Sequence, residues 1–270
     1  MTLKTANMQL KIGLFLLGFM IFLGVVFLLF GNFAIHINLD TRWQQSSSRF
    51  LLGADELGRD LLSCVVYGAG VSLLIGFAVV MLSSFIGVVW GLVSGMAGGI
   101  TDMILMRIVD IFLAFPGILL AIALAAFFSP GIAGMVFILT FSSWAGYARL
   151  VRGEVLKHKH KEFILAARSY NASFMRIIFS HLLPLIKPII FVQASLGAAG
   201  VIIAESSLNF LGLGLDPETP TLGQLIDTGV THIFDRPVFI VVPGIVLFII
   251  IISLNFIGEG LSKGNMNALD

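Results

Sequence analysis

The residues of this chain that could perform chemistry are few. Five histidines and one cysteine, Cys64, stand among 16 basic and 15 acidic residues. A lone cysteine excludes a disulfide framework and a cysteine-based metal site. His158-Lys159-His160 puts two imidazoles in one short run, with Glu162 as the nearest carboxylate on its C-terminal side. A metal needs a convergent set of donors. Two histidines in a run of cations read instead as a solvated face, so no metal ligand is expected. His36, His181 and His232 are isolated. A hydrolase needs a nucleophile beside a base, and the histidines fall in loops or near the ends of apolar stretches, where no catalytic pair is evident. No G-x-x-x-x-G-K-S/T loop is present to cradle phosphates, because Gly258-Glu-Gly-Leu-Ser-Lys-Gly264 lacks the needed end. No catalytic residue is expected.

The remaining charges of interest sit against apolar sequence. Asp102, Arg107 and Asp110 precede one apolar stretch, where an ion pair or a protein contact fits better than a proton relay. Glu205, flanked by Ser206 and Ser207, lies near the end of another. Charges at membrane depth suggest function. Glu205 reads equally as a pathway carboxylate or an ordinary interfacial one. Gly197 and Gly200, with Ala198 and Ala199 between them, suggest close helix packing.

The elements that must position these residues follow from composition. The chain has 270 residues, of which 58% are hydrophobic and 11% charged. Soluble domains carry about 25% charged residues, so a soluble enzyme and a disordered chain are excluded. A net charge of +1 gives no basic excess for nucleic acid. A membrane helix needs about 20 mostly apolar residues. Charge-free stretches run from Ile12 to Ile35, Leu61 to Thr101, Ile111 to Ala148, Pro188 to about Asn209, and Pro237 to Gly258. The second is too long for one span and ends in a Gly-rich turn. The third is broken at Ser129-Pro130-Gly131, a hairpin signal, and therefore holds two spans. The runs are continuous rather than alternating, which argues against a barrel. The expected fold is all-α: a polytopic bundle of six transmembrane helices. The first run exceeds a signal-peptide core and reads as a retained helix.

Basic residues collect on the cytoplasmic side. Segment 149–187 holds eight basic residues and two acids, whereas 205–236 holds five acids and only Arg236. With both termini inside, inner segments hold twelve of the basic residues and outer segments four. Both termini are expected to be cytoplasmic.

Segment 149–187 is too long to be a mere connection. Phe163, Ala166, Ala167 and Tyr170 recur at helical spacing, as do Phe174, Ile177, Ile178 and His181. Asn171 between them tolerates the left-handed conformation that ends a helix. Pro184 and Pro188 mark where the next helix can start. The expectation is helix, sharp turn, helix. Such a cationic amphipathic segment can lie on anionic lipid, stand in solvent or dock a protein, and composition leaves these three open.

The stretch from Glu162 to Pro184 resembles the EAA loop of bacterial ABC importer permeases. Ala166, Ala167, Leu183 and Pro184 match that pattern, whereas Leu165 stands where it names Glu and Asn171 where it names Gly. Three further blocks are similar to permeases of the dipeptide, oligopeptide and nickel subfamily, second permease type. They are Leu52 to Leu73 with Gly58-Arg59-Asp60; Asp102, Met106–Asp110 and Phe115-Pro116; and Phe210 to Pro217 with Pro220 and Gly223. Ala54 replaces a usual Thr and Leu222 a usual Trp. Together the blocks span most of residues 50–260.

The resemblance implies a type I importer fold, with residues 1–66 as first helix and external segment, 67–260 as the transmembrane domain with a coupling loop at about 150–187, and 261–270 as a tail. It implies a location in the bacterial inner membrane, a second related permease, two ATPase subunits and an external binding protein. ATP and Mg would lie on those ATPases, with no cofactor on this chain. Glu162, Ala166, Ala167, Asn171, Arg176, His181 and Pro184 would form the ATPase-coupling surface. Glu205, Gly197 and Gly200 are candidates for the pathway or for helix packing. Short peptides are the expected cargo; nickel or a metal chelate is the alternative, and a stand-alone secondary transporter the rival of another class. The acidic outer segments 36–60 and 205–236 suit a basic patch on a binding protein, or simply follow the positive-inside rule.

Overall fold

A computed structural model describes residues 3–30, 35–48 and 50–266. The described residues are mostly helical and hold no strand beyond one isolated bridge between Ala54 and Asp60; irregular segments precede α2 and α9. The helices are α1 (Leu3–Phe30), α2 (Leu61–Ala97), α3 (Gly99–Ala114), α4 (Gly117–Ala125), α5 (Ile132–His158), α6 (Glu162–Ser169), α7 (Phe174–Ile177), α8 (Leu183–Phe210), α9 (Leu222–Thr231) and α10 (Val238–Met266). Five of the spans defined by these helices are long and apolar enough to cross a membrane; α3 and α4 together make a bent sixth candidate. The expected first-span end at Ile35 is separated from α1 by residues 31–34, and the expected tail ends in residues 267–270; both segments lie outside the described residues.

α2 and α5 form the backbone of the bundle. Gly87, Gly91 and Gly95 recur every four residues along one face of α2. A β-carbon on Gly91 would stand 2.6 Å from the Ala148 carbonyl oxygen, and one on Gly95 2.7 Å from Val155. Lipid supplies no hydrophobic drive between helices, so van der Waals contact through small residues is what holds such a pair. α10 is seated by the same device. Gly258 meets Leu196 of α8, and Gly260 meets Leu10 of α1. α2 starts where the Asp60 carboxylate accepts the Ser63 N–H at 2.8 Å, and it ends at Gly98, whose φ of 67° leaves the helix.

Three helix boundaries differ from the sequence expectation. The third span starts at Gly99 rather than Ile111, and it breaks at Phe115-Pro116, where α4 leaves α3 at 82°. Proline lacks an N–H and pushes the residue before it out of helical geometry; Phe115 is extended, with ψ of 137°. The fourth span does not end near Ala148 but runs to His158. Arg149 and Arg152 fall in the expected loop and Asp102 and Asp110 at the expected helix start, yet all four lie within helices and pair across α3 and α5. The fifth span starts at Leu183, with Pro184 in its first turn and Pro188 inside it. The π-helical turn Ile178–Leu182 runs directly into it, so the missing N–H of Pro184 falls inside a continuous helix.

Candidate functional site

The basic loop folds back onto the bundle. α6, a left-handed turn, α7 and a π-helical turn (Ile178–Leu182) lead without a break into α8. Asn171 has φ of 55°, as its residue type suggested. Around it, the Tyr170 N–H donates to Ala166 O at 3.1 Å and the Ala172 N–H to Ala167 O at 3.0 Å. Ser173 then caps α7, accepting the Arg176 N–H at 3.3 Å. The inner face is apolar. Ile164 is 0% exposed and clusters with Ile177, Ile178, Leu182 and Ile186 against Leu92 of α2 and Val151 and Val155 of α5. The loop is thus rooted in the core rather than suspended from its two ends.

The outer face carries the residues singled out in the sequence. Glu162, Ala166, Asn171, Arg176 and Pro184 are exposed; Ala167 and His181 are half-buried. The stripe Phe163, Ala166, Ala167, Tyr170 faces outward, with Tyr170 88% exposed. Phe163, Leu165, Phe174 and Met175 join it. An apolar patch rimmed by charge on a loop marks a contact surface. The stripe is legible in the sequence but its direction is not, because Ile164, the one position of α6 buried among the described residues, is apolar like its neighbours. Leu165 extends this apolar surface where the resemblance expected a carboxylate.

Beneath the loop lies an ionic base. Both guanidinium arms of Arg152 reach Asp102, Nε to Oδ1 and Nη2 to Oδ2, each at 2.6 Å. Ser94 Oγ also donates to Asp102 Oδ1. Lys159 Nζ donates to Gly95 O at 2.9 Å, and Arg149 pairs with Asp110 at 2.5 Å. His158 is buried beside Glu154, with Nε2 3.2 Å from Oε2, while His160 is exposed. They do not converge on a shared site.

A cavity of about 490 Å³ opens between α4, α5 and α8. Its lining includes Ala121, Ser142, Tyr147, Gln193, Gly200 and Ser207, and no charged side chain. Gly200 borders open space, whereas Gly197 packs against the Tyr147 hydroxyl, 2.6 Å from where a β-carbon would sit. Glu205 turns away from this cavity. It is 0% exposed; Ser72 Oγ donates to Oε2 at 2.8 Å and Asn209 Nδ2 to Oε1 at 2.6 Å. Asn209 Oδ1 in turn accepts the Leu215 N–H at 2.8 Å. Glu205 therefore ties α2 to α8 and to the loop that follows.

At the acidic end, two segments distant in sequence are clasped together. Arg59 is buried, pairs with Asp55 at 2.7 Å and donates to Pro217 O at 3.2 Å. Arg236 donates to Trp43 O at 2.8 Å and lies 5.1 Å from the centroid of its ring. Helix α9 was not foreseen within the acidic loop, although Thr221 is a recognisable cap that accepts the Gln224 N–H.

Residues 87–264 match the family described as binding-protein-dependent transport system inner membrane component. The di/tripeptide transport system permease protein DppC of Pseudomonas aeruginosa is 37% identical over 215 residues, 79% of this chain and 71% of that protein. The dipeptide permease DppC of Bacillus subtilis is 34% identical over 251 residues, 92% of this chain and 78% of that protein. The glutathione permease GsiD of Pectobacterium atrosepticum is 38% identical over 215 residues, 80% and 71% of the two chains. In fold, the chain is similar to one from the inward-facing MetNI methionine ABC transporter, with TM-score 0.59 and 22% identity over 78% of this chain and 98% of that one. The helical architecture, the apolar spans and these relatives together establish that the chain belongs to the binding-protein-dependent transport system inner membrane components, as a multi-pass protein of the bacterial inner membrane.

Proposed function

We propose that this protein is the permease subunit of an ATP-driven importer and forms half of the path for short peptides delivered by an external binding protein. The observation that carries the proposal is the loop from α6 to α8, which presents Ala166, Ala167 and an apolar rim outward while its inner face is locked into α2 and α5. Small side chains admit a partner's surface closely, and a rooted loop passes displacement on to the helices. Both termini and this loop lie on the cytoplasmic side, in keeping with the excess of basic residues there. ATP and Mg bind to separate ATPase subunits, and a second, related permease completes the path. Peptides are favoured over nickel chelates by the di- and tripeptide permeases among the relatives. The uncharged cavity between α4, α5 and α8, with hydroxyl and amide groups on its wall, suits cargo of varied side-chain charge.

The test is purification of the assembled transporter through a tag on this chain. An ATPase co-purifies, and reconstituted vesicles take up labelled dipeptide only with ATP. Ala166→Arg or Ala167→Arg leaves membrane insertion intact and uncouples uptake from hydrolysis. Uptake by the isolated chain driven by an ion gradient alone would overturn the reading in favour of a stand-alone transporter.

A further inference from the structure

We infer that the Asp102–Arg152 fork is the positioning link that carries movement of the coupling loop into the bent α3–α4 helix; the inference rests on the coupling reading above. Besides this fork, α3 is held to α5 by the exposed Arg149–Asp110 pair and by Val109 and Phe112, which pack against Trp144. Val109 is its one buried residue, while Ile100, Met103, Ile104 and Ile111 are exposed. It enters through Gly98 and Gly99, both at positive φ, and leaves through the break at Phe115-Pro116. A helix jointed at both ends moves with whatever grips it in between.

That grip comes from α5, and α5 is part of the unit in which the loop is rooted. Val151 and Val155 contact the loop's inner cluster; Arg152, between them in sequence, holds both Asp102 oxygens. Ser94 of α2 adds a hydrogen bond to the same carboxylate, and Trp90 Nε1 of α2 donates to Leu105 O at 3.2 Å. A bidentate Arg–carboxylate pair fixes orientation as well as distance, which an apolar contact through Val109 does not. The far end of the bent unit, α4, contributes Gly117, Ile118 and Ala121 to the cavity wall. Displacement at the loop therefore reaches the α4 part of the wall through α5, Arg152, Asp102 and α3. Coupling requires that the two states of the transporter differ in free energy at this joint.

The experiment uses the assembled transporter in vesicles and reads labelled dialanine uptake and ATP hydrolysis together. Arg152→Ala raises the ATP hydrolysed per peptide by about ten-fold, within the range of ordinary site-to-site coupling. Arg152→Lys, which keeps the charge and loses the fork, raises it in the same direction and serves if the alanine variant fails to assemble. The exchanged pair Asp102→Arg with Arg152→Asp brings the ratio back toward wild type. A merely structural pair lowers uptake and hydrolysis in step with the amount of complex and leaves the ratio unchanged, which overturns the inference. Ala167→Arg is run alongside. If it uncouples while the Arg152 variants keep the wild-type ratio, the link alone fails; if it transports normally, the coupling reading fails and the link with it.

Discussion

Gly91 lies so close to Ala148 that an added β-carbon would stand 2.6 Å from the Ala148 carbonyl oxygen and 2.8 Å from Val151 Cβ. Backbone is what it would strike, and backbone cannot swing aside as a side-chain tip can. Gly91→Val is expected to destabilise the bundle by about 1–3 kcal/mol, the range for overpacking. Gly146→Val, at a position with open space, is expected to have a much smaller effect. Thermal unfolding of the two variants in detergent compares them directly.

Glu205 fills a closed polar pocket between helices. Glu205→Ala strands the Ser72 hydroxyl away from water and leaves the Asn209 amide only the backbone carbonyl of residue 205 as acceptor. The expected loss is about 3 kcal/mol, typical of breaking a buried polar network. Glu205→Gln keeps the volume and one acceptor oxygen, so it loses less. Unfolding midpoints for the two variants test the order Ala below Gln below wild type.

Asn171 is held at φ of 55°, where side chains other than Gly, Asn and Asp are strained. Asn171→Gly is expected to be tolerated. Asn171→Val is expected to destabilise the turn by about 1–2 kcal/mol. The effect is local, so amide exchange at 166–174 is the measurement, with faster exchange in the valine variant and near wild-type exchange in the glycine variant.

Arg59 joins two outer segments that are far apart in the chain. Arg59→Ala leaves buried Asp55 without its ion-pair partner, with only backbone N–H donors on Oδ1, and releases the Pro217 and Glu218 carbonyls. Removing one partner of a buried pair loses about 3–5 kcal/mol. Limited proteolysis from the acidic side is expected to cut 211–221 faster in the variant; an unchanged rate would show that the clasp does not hold that loop.

The sequence made the left-handed turn legible because Asn171 carries its conformational preference locally. Apolar stretches likewise located the spans, since bilayer thickness fixes their length. The ends of the third and fourth spans were not legible. Arg149 and Arg152 look like loop residues until their partners Asp110 and Asp102, some forty to fifty residues away, are seen beside them. Glu205 was recognisable as unusual, but whether it faced a pathway or a neighbouring helix depended on Ser72, 133 residues earlier. The stripe on α6 was visible by period alone, but its direction depended on which partner buried Ile164. Each miss involves a contact between distant segments, where local pattern carries no information.

The break at Phe115-Pro116 has an architectural result. α4 has nine residues, about 14 Å of helix at 1.5 Å per residue, against a hydrocarbon core of about 30 Å. Turned by 82° from α3, it stops short of that thickness, with Leu119 facing outward and Ile118 on the cavity wall. One side of the compartment bounded by α5 and α8 is consequently only part-height, like a doorway with a jamb on one side. A neighbouring subunit that supplied the opposite jamb would also determine how wide the passage opens.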